Sequence, residues 1–401
     1  MKLGELIEIK HGYAFSGEHI VEDDNGIVLV TPGNFRIGGG FKEEKCKFFD
    51  GEIPADYVLK EGDFIVTMTD LSKTIDTLGY SALVPKSKRI YLHNQRIGLV
   101  TFKSDECDRG YIYWLMRTRE YQRSIANTST GATVHHTSPK KIYDYDLEVP
   151  PLPIQHRIAT ILSRYDSLIE NYQKQIKLLE ETAQRLYKEW FVDLHFPGHE
   201  NTNIVDGVPE GWERKKVGEI GTVITGKTPS TSNKENYGGS IPFITIPDMH
   251  TGIYPVSSVF LSEKGAESQS KKYIPQGALI VSCIGTAGLV CITKERCQTN
   301  QQINSLILDD KEMLHYMYFV FLSLKEHLNN IGSNGATMTN VNKSKFEGID
   351  IVVPSSCIIR DFSQRTTPYF ENIKSLQSQL RLLTEARDRL LPKLMSGDIE
   401  I

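Results

Sequence analysis

One module is written twice along this 401-residue chain, and that repeat limits its architecture more than any motif does. Leu3-Gly4-Glu5-Leu6 returns as Val217-Gly218-Glu219-Ile220, and the apolar run Ile27 to Thr31 returns as Ile241 to Thr245, both displaced by 214 residues. Gly62 to Val66 returns as Gly277 to Val281 at a displacement of 215, whereas Asn94-Gln95 returns as Asn300-Gln301 at 206, so the first copy carries nine extra residues between those points. Gly131-Ala132-Thr133 and Pro150 return at 204 as Gly335-Ala336-Thr337 and Pro354. The order of the matches is never broken, which speaks for duplication of a whole head. Within each head, short β-branched and aromatic runs broken by Gly, Pro, Asn and Asp predict strands. One helix-like stretch lies near Tyr111 to Ile125, and its counterpart near His315 to Asn329.

After Pro150-Pro151 no Gly or Pro beyond Pro153 interrupts the chain until Pro197. Apolar residues there step by four and three: Ile158, Leu162, Tyr165, Ile169, Tyr172, Ile176, Leu179, Ala183, Leu186 and Trp190. The second copy reads Phe362, Thr366, Tyr369, Ile373, Leu376, Leu380, Leu383, Arg387, Leu390 and Leu394, spoiled only by Thr366 and Arg387. Such a seam marks a left-handed coiled coil, and the readiest partner for each seam is the other. At 1.5 Å per residue, Ile158 to Trp190 spans roughly 50 Å, so the pair would act as a ruler. Pro368 lacks an amide hydrogen and crowds the preceding turn, so the second helix is expected to start or kink there, and Pro392 to distort its last turn.

The fold expected is therefore mixed α/β: two globular α+β heads separated by two long helices that form an intramolecular antiparallel coiled coil, with pseudo-twofold symmetry. Its divisions are head 1–151, stem 152–195, linker 196–211, head 212–354, stem 355–396 and tail 397–401. No apolar run of about 18 residues occurs and Glu5 and Glu8 interrupt the opening, so no membrane partner and a cytoplasmic location are expected. The six cysteines form no C-x-x-C pair, which argues against structural zinc. The net charge of −4 makes no global case for nucleic acid. A basic run from Lys86 through Lys88, Arg89, Arg96, Lys103, Arg109, Arg117 and Arg119 to Arg123 is either a local DNA patch or a solvated face.

Catalytic signatures fail on inspection. Gly221 to Thr228 fits the P-loop pattern, but Pro229-Ser230-Thr231-Ser232-Asn233 follows where a helix must begin. A strand-turn exposing Lys227 and Thr228 is expected instead, able to touch a DNA phosphate. The Pro-Pro at 150–151 is a strand-to-stem corner rather than a base-holding methyltransferase motif. Glu43-Glu44-Lys45 lacks the converging acids of a nuclease, and adjacent His135 and His136 point to opposite faces. No catalytic, cofactor-binding or metal residue is assigned. What remains suits recognition, because Arg, Asn and Gln pair with base edges while Lys, Ser and Thr hold phosphates. The candidates are Lys10, Lys73, Asn94, Gln95, Arg96, Thr133, His135, Lys140 and Lys141 in the first head. In the second they are Lys227, Thr228, Asn300, Gln301, Gln302, Thr337, Thr339, Asn340, Lys343 and Lys345.

The chain resembles the specificity subunits of type I restriction-modification systems over essentially its whole length. The resemblance rests on Val149-Pro150-Pro151-Leu152-Pro153-Ile154-Gln155, Trp190-Phe191-Val192-Asp193 with Phe196-Pro197-Gly198, Val208-Pro209-Glu210-Gly211-Trp212, and Leu391 to Ile399. Val353-Pro354-Ser355-Ser356-Cys357 and Thr366-Thr367-Pro368 depart from the usual pattern. The resemblance implies a non-catalytic subunit whose heads are target recognition domains, each reading half of a bipartite site in double-stranded DNA. It further implies stems that fix the gap and dock two methyltransferase subunits, with restriction-translocase subunits joining the full complex. No cofactor would be bound by this chain; S-adenosylmethionine, ATP and magnesium would belong to the partners. Because the heads differ at most polar loop positions, the two half-sites are expected to differ.

Overall fold

The computed structural model describes residues 1–44, 46–72, 74–103, 105–131, 133–333 and 339–400. The chain forms two compact units, Met1–Ile169 with Leu383–Ile401, and Glu170–Leu382. Each unit thus holds one head and a piece of each long helix.

In the first unit, strands Ile7–His11, Ile97–Phe102, Phe64–Thr67 and Ser81–Leu83 form an antiparallel sheet in that order. Alternation sets its faces: Ile7 and Ile9 are buried while Glu8 and Lys10 are exposed. A five-stranded sheet contains the parallel pair Ile27–Val30 and Ile90–His93. The expected single helix is two, Arg109–Leu115 and Arg119–Asn127. The division falls at Thr118, whose extended backbone and hydroxyl, accepting from Tyr121 N at 3.2 Å, start a new helix.

The second unit repeats this plan. Strands Gly221–Thr225, Ile303–Leu308, Leu279–Ser282 and Val290–Ile292 make the equivalent sheet in the equivalent order. Tyr237–Ile244 runs parallel to Gln298–Thr299, as its counterpart does in the first head. The helix here is also divided, into Leu314–Ser323 and Lys325–Ser333. Of the nine extra residues in the first head, six lie in the hairpin between Val66 and Ser81, whose counterparts are Val281 and Val290. Asp70 organises that longer hairpin, accepting from Ser72 N and Thr77 N at 2.6 Å and from Leu78 N at 3.0 Å. Burial alone would raise its pKa, but the bonds donated by Thr77 and Ser72 outweigh it and hold the carboxylate below its usual range.

The first long helix spans Leu152–Tyr187 and ends in a π turn, Lys188–Val192. The second spans Ser356–Ser396 without interruption. Every seam position named from the sequence is buried or half-buried. In the first unit Ile158 and Leu162 share a core with Leu390, Leu391 and Leu394. In the second, Ile176, Leu179, Ala183, Leu186 and Trp190 pack with Phe362, Phe370, Ile373, Leu376 and Leu380. Trp190 meets Phe362 with ring centroids 5.8 Å apart, while Ala183 shares a small cavity with Phe370 and Ile373, so the two segments run antiparallel. Ile169 is buried and Leu383 half-buried.

The second helix does not start at Pro368, which was one of the two outcomes expected there. Pro368 and Pro392 both lie exposed inside the helix. Near Pro368, side-chain hydroxyls occupy the carbonyls of the preceding turn: Thr366 Oγ1 donates to Phe362 O at 2.8 Å and Thr367 Oγ1 to Ser363 O at 2.7 Å. The two residues that spoil the seam also find partners there. Thr366 Oγ1 lies 2.9 Å from His315 Nδ1, and Arg387 Nη1 lies 2.5 Å from Asp166 Oδ1.

Candidate nucleic-acid interface

Three loops meet at the same end of the four-stranded sheet in each head. The first is a tight turn at the repeated Asn. Asn94 Oδ1 accepts from Arg96 N at 3.0 Å and Asn94 O from Ile97 N at 2.9 Å. Asn300 repeats both bonds, from Gln302 N at 3.1 Å and Ile303 N at 3.2 Å. The Asn oxygen therefore builds the turn, and the side chains offered outward are those of Gln95, Arg96 and Gln301, with Gln302 half-exposed. Glycine grips each turn from behind: a Cβ on Gly12 or Gly226 would lie 2.1 Å from the Asn94 or Asn300 carbonyl oxygen, so no other residue fits.

A residue missed by sequence reasoning joins the loops. Met68 N donates to Arg96 O at 2.9 Å, and Met68 O accepts from Thr137 N at 3.0 Å. Cys283 does the same between Gln302 O, 2.8 Å, and Val341 N, 2.9 Å. The third loop pairs by His136 opposite Thr69, and by Asn340 opposite Ile284. Met68 and Cys283 act through backbone atoms, so their only sequence signal was position, 215 residues apart just past matched strands.

The candidates divide on this frame. Gln95, Arg96, Thr133, Lys140, Lys227, Gln301, Asn340 and Lys343 are exposed, and His135, Thr228, Gln302 and Thr339 half-exposed. Lys227 stands beside the Asn300 turn, and Thr228 Oγ1 donates to Gln301 Oε1 at 2.5 Å. The amides of Gly226 and Lys227 are bonded to Ile303 O and Thr299 O at 3.0 and 2.9 Å, and no helix follows, so the P-loop letters form no phosphate cradle. Lys10 lies 4.8 Å from the Tyr57 ring centre and donates to Asp56 O at 3.1 Å. Lys141 donates to Thr128 O and Lys345 to Ile331 O, which caps the preceding helix in both heads. Lys343 pairs with Glu347 at 3.4 Å. Lys73 and Thr337, with Ala132, Asn334, Gly335 and Ala336, lie outside the described residues. The basic run does not form one surface: Arg89 pairs with Asp24 and Glu43, Lys103 donates to Gly4 O, and Arg117 is buried against Asp166. His93, beneath the first turn, is held below the ordinary imidazole range by burial, its Nε2 2.9 Å from Ile97 O. Among the described residues no group of three His, Cys, Asp or Glu side chains converges as a metal site requires, and no helix is long and apolar enough to cross a membrane.

One loop cluster built twice on the same backbone bonds, with different side chains at its tips, defines a tandem recognition protein. Comparison with known proteins gives the family. Residues 1–181 and 209–364 match the type I restriction modification DNA specificity domain. The chain is 34% identical over 347 residues to the type I restriction enzyme HindI specificity subunit of Haemophilus influenzae, covering 70% of this chain and 75% of that one. It is 28% identical over 298 residues to the MjaIX specificity subunit of Methanocaldococcus jannaschii, covering 73% and 69%. Among solved structures, the type I restriction-modification system S subunit from M. genitalium superposes with a TM-score of 0.64 at 16% identity, over 98% of this chain and 95% of that one, a likeness of fold alone. The chain belongs to the type I restriction-modification DNA specificity family. Its role in such a system is DNA recognition alongside other subunits, not catalysis.

Proposed function

We propose that each head binds one half of an asymmetric bipartite site in double-stranded DNA, while the long helices set the gap and dock two methyltransferase subunits. Restriction-translocase subunits join that core in the full complex, which works in the cytoplasm. The methyl donor S-adenosylmethionine, ATP and magnesium are held by those partners rather than by this chain. The observation that carries the reading is the three-loop cluster, whose backbone bonds recur in both heads while its tips differ: exposed Gln95 and Arg96 against exposed Gln301 and half-exposed Gln302. An Arg pairs best with guanine and a Gln with adenine, so unlike tips on like frames read unlike sequences. On this reading Thr133, His135 and Lys140, and Lys227, Asn340 and Lys343, contact phosphates or flanking bases. Replacing residues 212–354 by the head of a relative, with methylome sequencing after co-expression with the methyltransferase, should change one half of the methylated motif. A change in both halves, or in neither, overturns the reading.

A further inference from the structure

We infer that Arg117 with Asp166 in the first unit, and Gln377 in the second, are positioning residues that lock the angle of each head on its own long helix, and thereby hold the DNA gap to one length. The inference rests on the bipartite reading above. It begins with a loop that follows equivalent strands in the two heads, at Gly38 and at Gly252, 214 residues apart. In the first head Arg117, 5% exposed, donates from Nε to Gly38 O at 2.9 Å and from Nη1 to Asp166 Oδ2 at 2.5 Å. Its chain passes so close to Gly39 that a Cβ there would sit 2.5 Å from Arg117 Cγ. In the second head Gln377 Oε1 accepts from Tyr254 N at 3.2 Å, and a Cβ on Gly252 would come within 2.0 Å of Gln377 Nε2.

The two locks do not occupy equivalent positions. At a displacement of 204, Arg117 corresponds to Phe321 and Gln377 to Gln173, which is exposed. Asp166 corresponds to Phe370, seven residues before Gln377, which is two turns or about 10 Å along the helix. Different side chains at different heights thus tie the same loop to the same kind of helix. To the apolar packing between head and helix these hydrogen bonds add a restraint of defined direction. From the loop the tie continues to the reading turn. Gly40 N donates to Ser81 O at 2.8 Å, and Ile292 N to Ile253 O at 2.8 Å. Both bonds enter the hairpins that end at Met68 and Cys283, each bonded to its Asn turn.

The test is the methylome produced by the full chain with its methyltransferase in a host without restriction. In Asp166→Asn and Gln377→Ala both half-motifs should persist, while methylation at gaps one base pair longer or shorter rises about tenfold, the effect of one lost hydrogen bond. Gln377→Glu, which keeps the acceptor for Tyr254 N, should restore the wild-type gap. Wild-type gap stringency in Gln377→Ala, or altered bases within a half-motif, overturns the inference, and Gln377→Ala decides alone if Asp166→Asn does not assemble. A wild-type methylome without a two-part motif would instead overturn the functional reading beneath it.

Discussion

In the first unit Asp166 of the first long helix takes Arg117 from the head and Arg387 from the second long helix, both at 2.5 Å. The equivalent positions in the second unit are Phe370, Phe321 and Ala183. There Phe370 stacks on His315 with centroids 4.0 Å apart, and Phe321 on Phe346 at 5.1 Å. One backbone plan therefore accepts charge or aromatic packing at the junction of head and stem. The chemistries are not equal in kind: a largely buried ion triad gains little net free energy over apolar residues, whereas packed rings remove area from water and add stacked contacts of their own.

The largest expected effect comes from the aromatic side. Phe362 is fully buried, with the rings of Tyr187, Trp190, Phe191 and Phe319 around it. Phe362→Ala should cost about 4 kcal/mol in denaturant unfolding; a loss below about 1 kcal/mol would show that packing does not hold this junction. Next is the triad. Asp166→Ala should cost about 3 kcal/mol, chiefly by leaving the buried Arg117 guanidinium without its carboxylate, since Arg387 keeps Asp388 at 2.7 Å. Importing the second unit's chemistry, as Arg117→Phe with Asp166→Phe and Arg387→Ala, should return stability to within about 1 kcal/mol of wild type. If the triple variant is as unstable as the single one, the two junctions are not interchangeable solutions.

The smallest effect is a pH slope. Burial pushes the His315 pKa down to about 4, so the folded chain keeps this imidazole neutral while the unfolded chain protonates it near 6.5. A depressed base contributes stability in full above pH 6.5 and loses it as pH falls toward 4, so about 2 kcal/mol should disappear between pH 7 and pH 5. His315→Tyr, which installs the residue found at Tyr111 in the first copy, should remove that part of the slope. An unchanged slope in unfolding titrations would place the sensitivity elsewhere.

The repeat, the seam and the divided heads were legible because periodicity and order survive in one dimension. The end of the P-loop resemblance was legible too, since Pro229 forbids the helix it needs. Other features depend on what a side chain meets. Pro368 reads as a helix start, yet the helix runs through it from Ser356 to Ser396. That Lys141 and Lys345 each donate to a carbonyl at the end of a helix was likewise not legible. Asn94 and Asn300 carry the strongest repeat signal in the loops because their side chains build the turn that displays Gln95, Arg96 and Gln301. The middle loop left no composition to find, because Met68 and Cys283 bond through main-chain atoms.

The first unit takes its last segment, Leu383–Ile401, from the far end of the chain. Until that segment has left the ribosome, the face of Ile158 and Leu162 lacks the Leu390, Leu391 and Leu394 that cover it. At 5–20 residues per second the wait between residues 169 and 383 is roughly 10 to 40 s. The head made first is thus the one completed last, and a prematurely stopped chain displays an uncovered apolar stripe that chaperones and proteases can read as a sign of incompleteness.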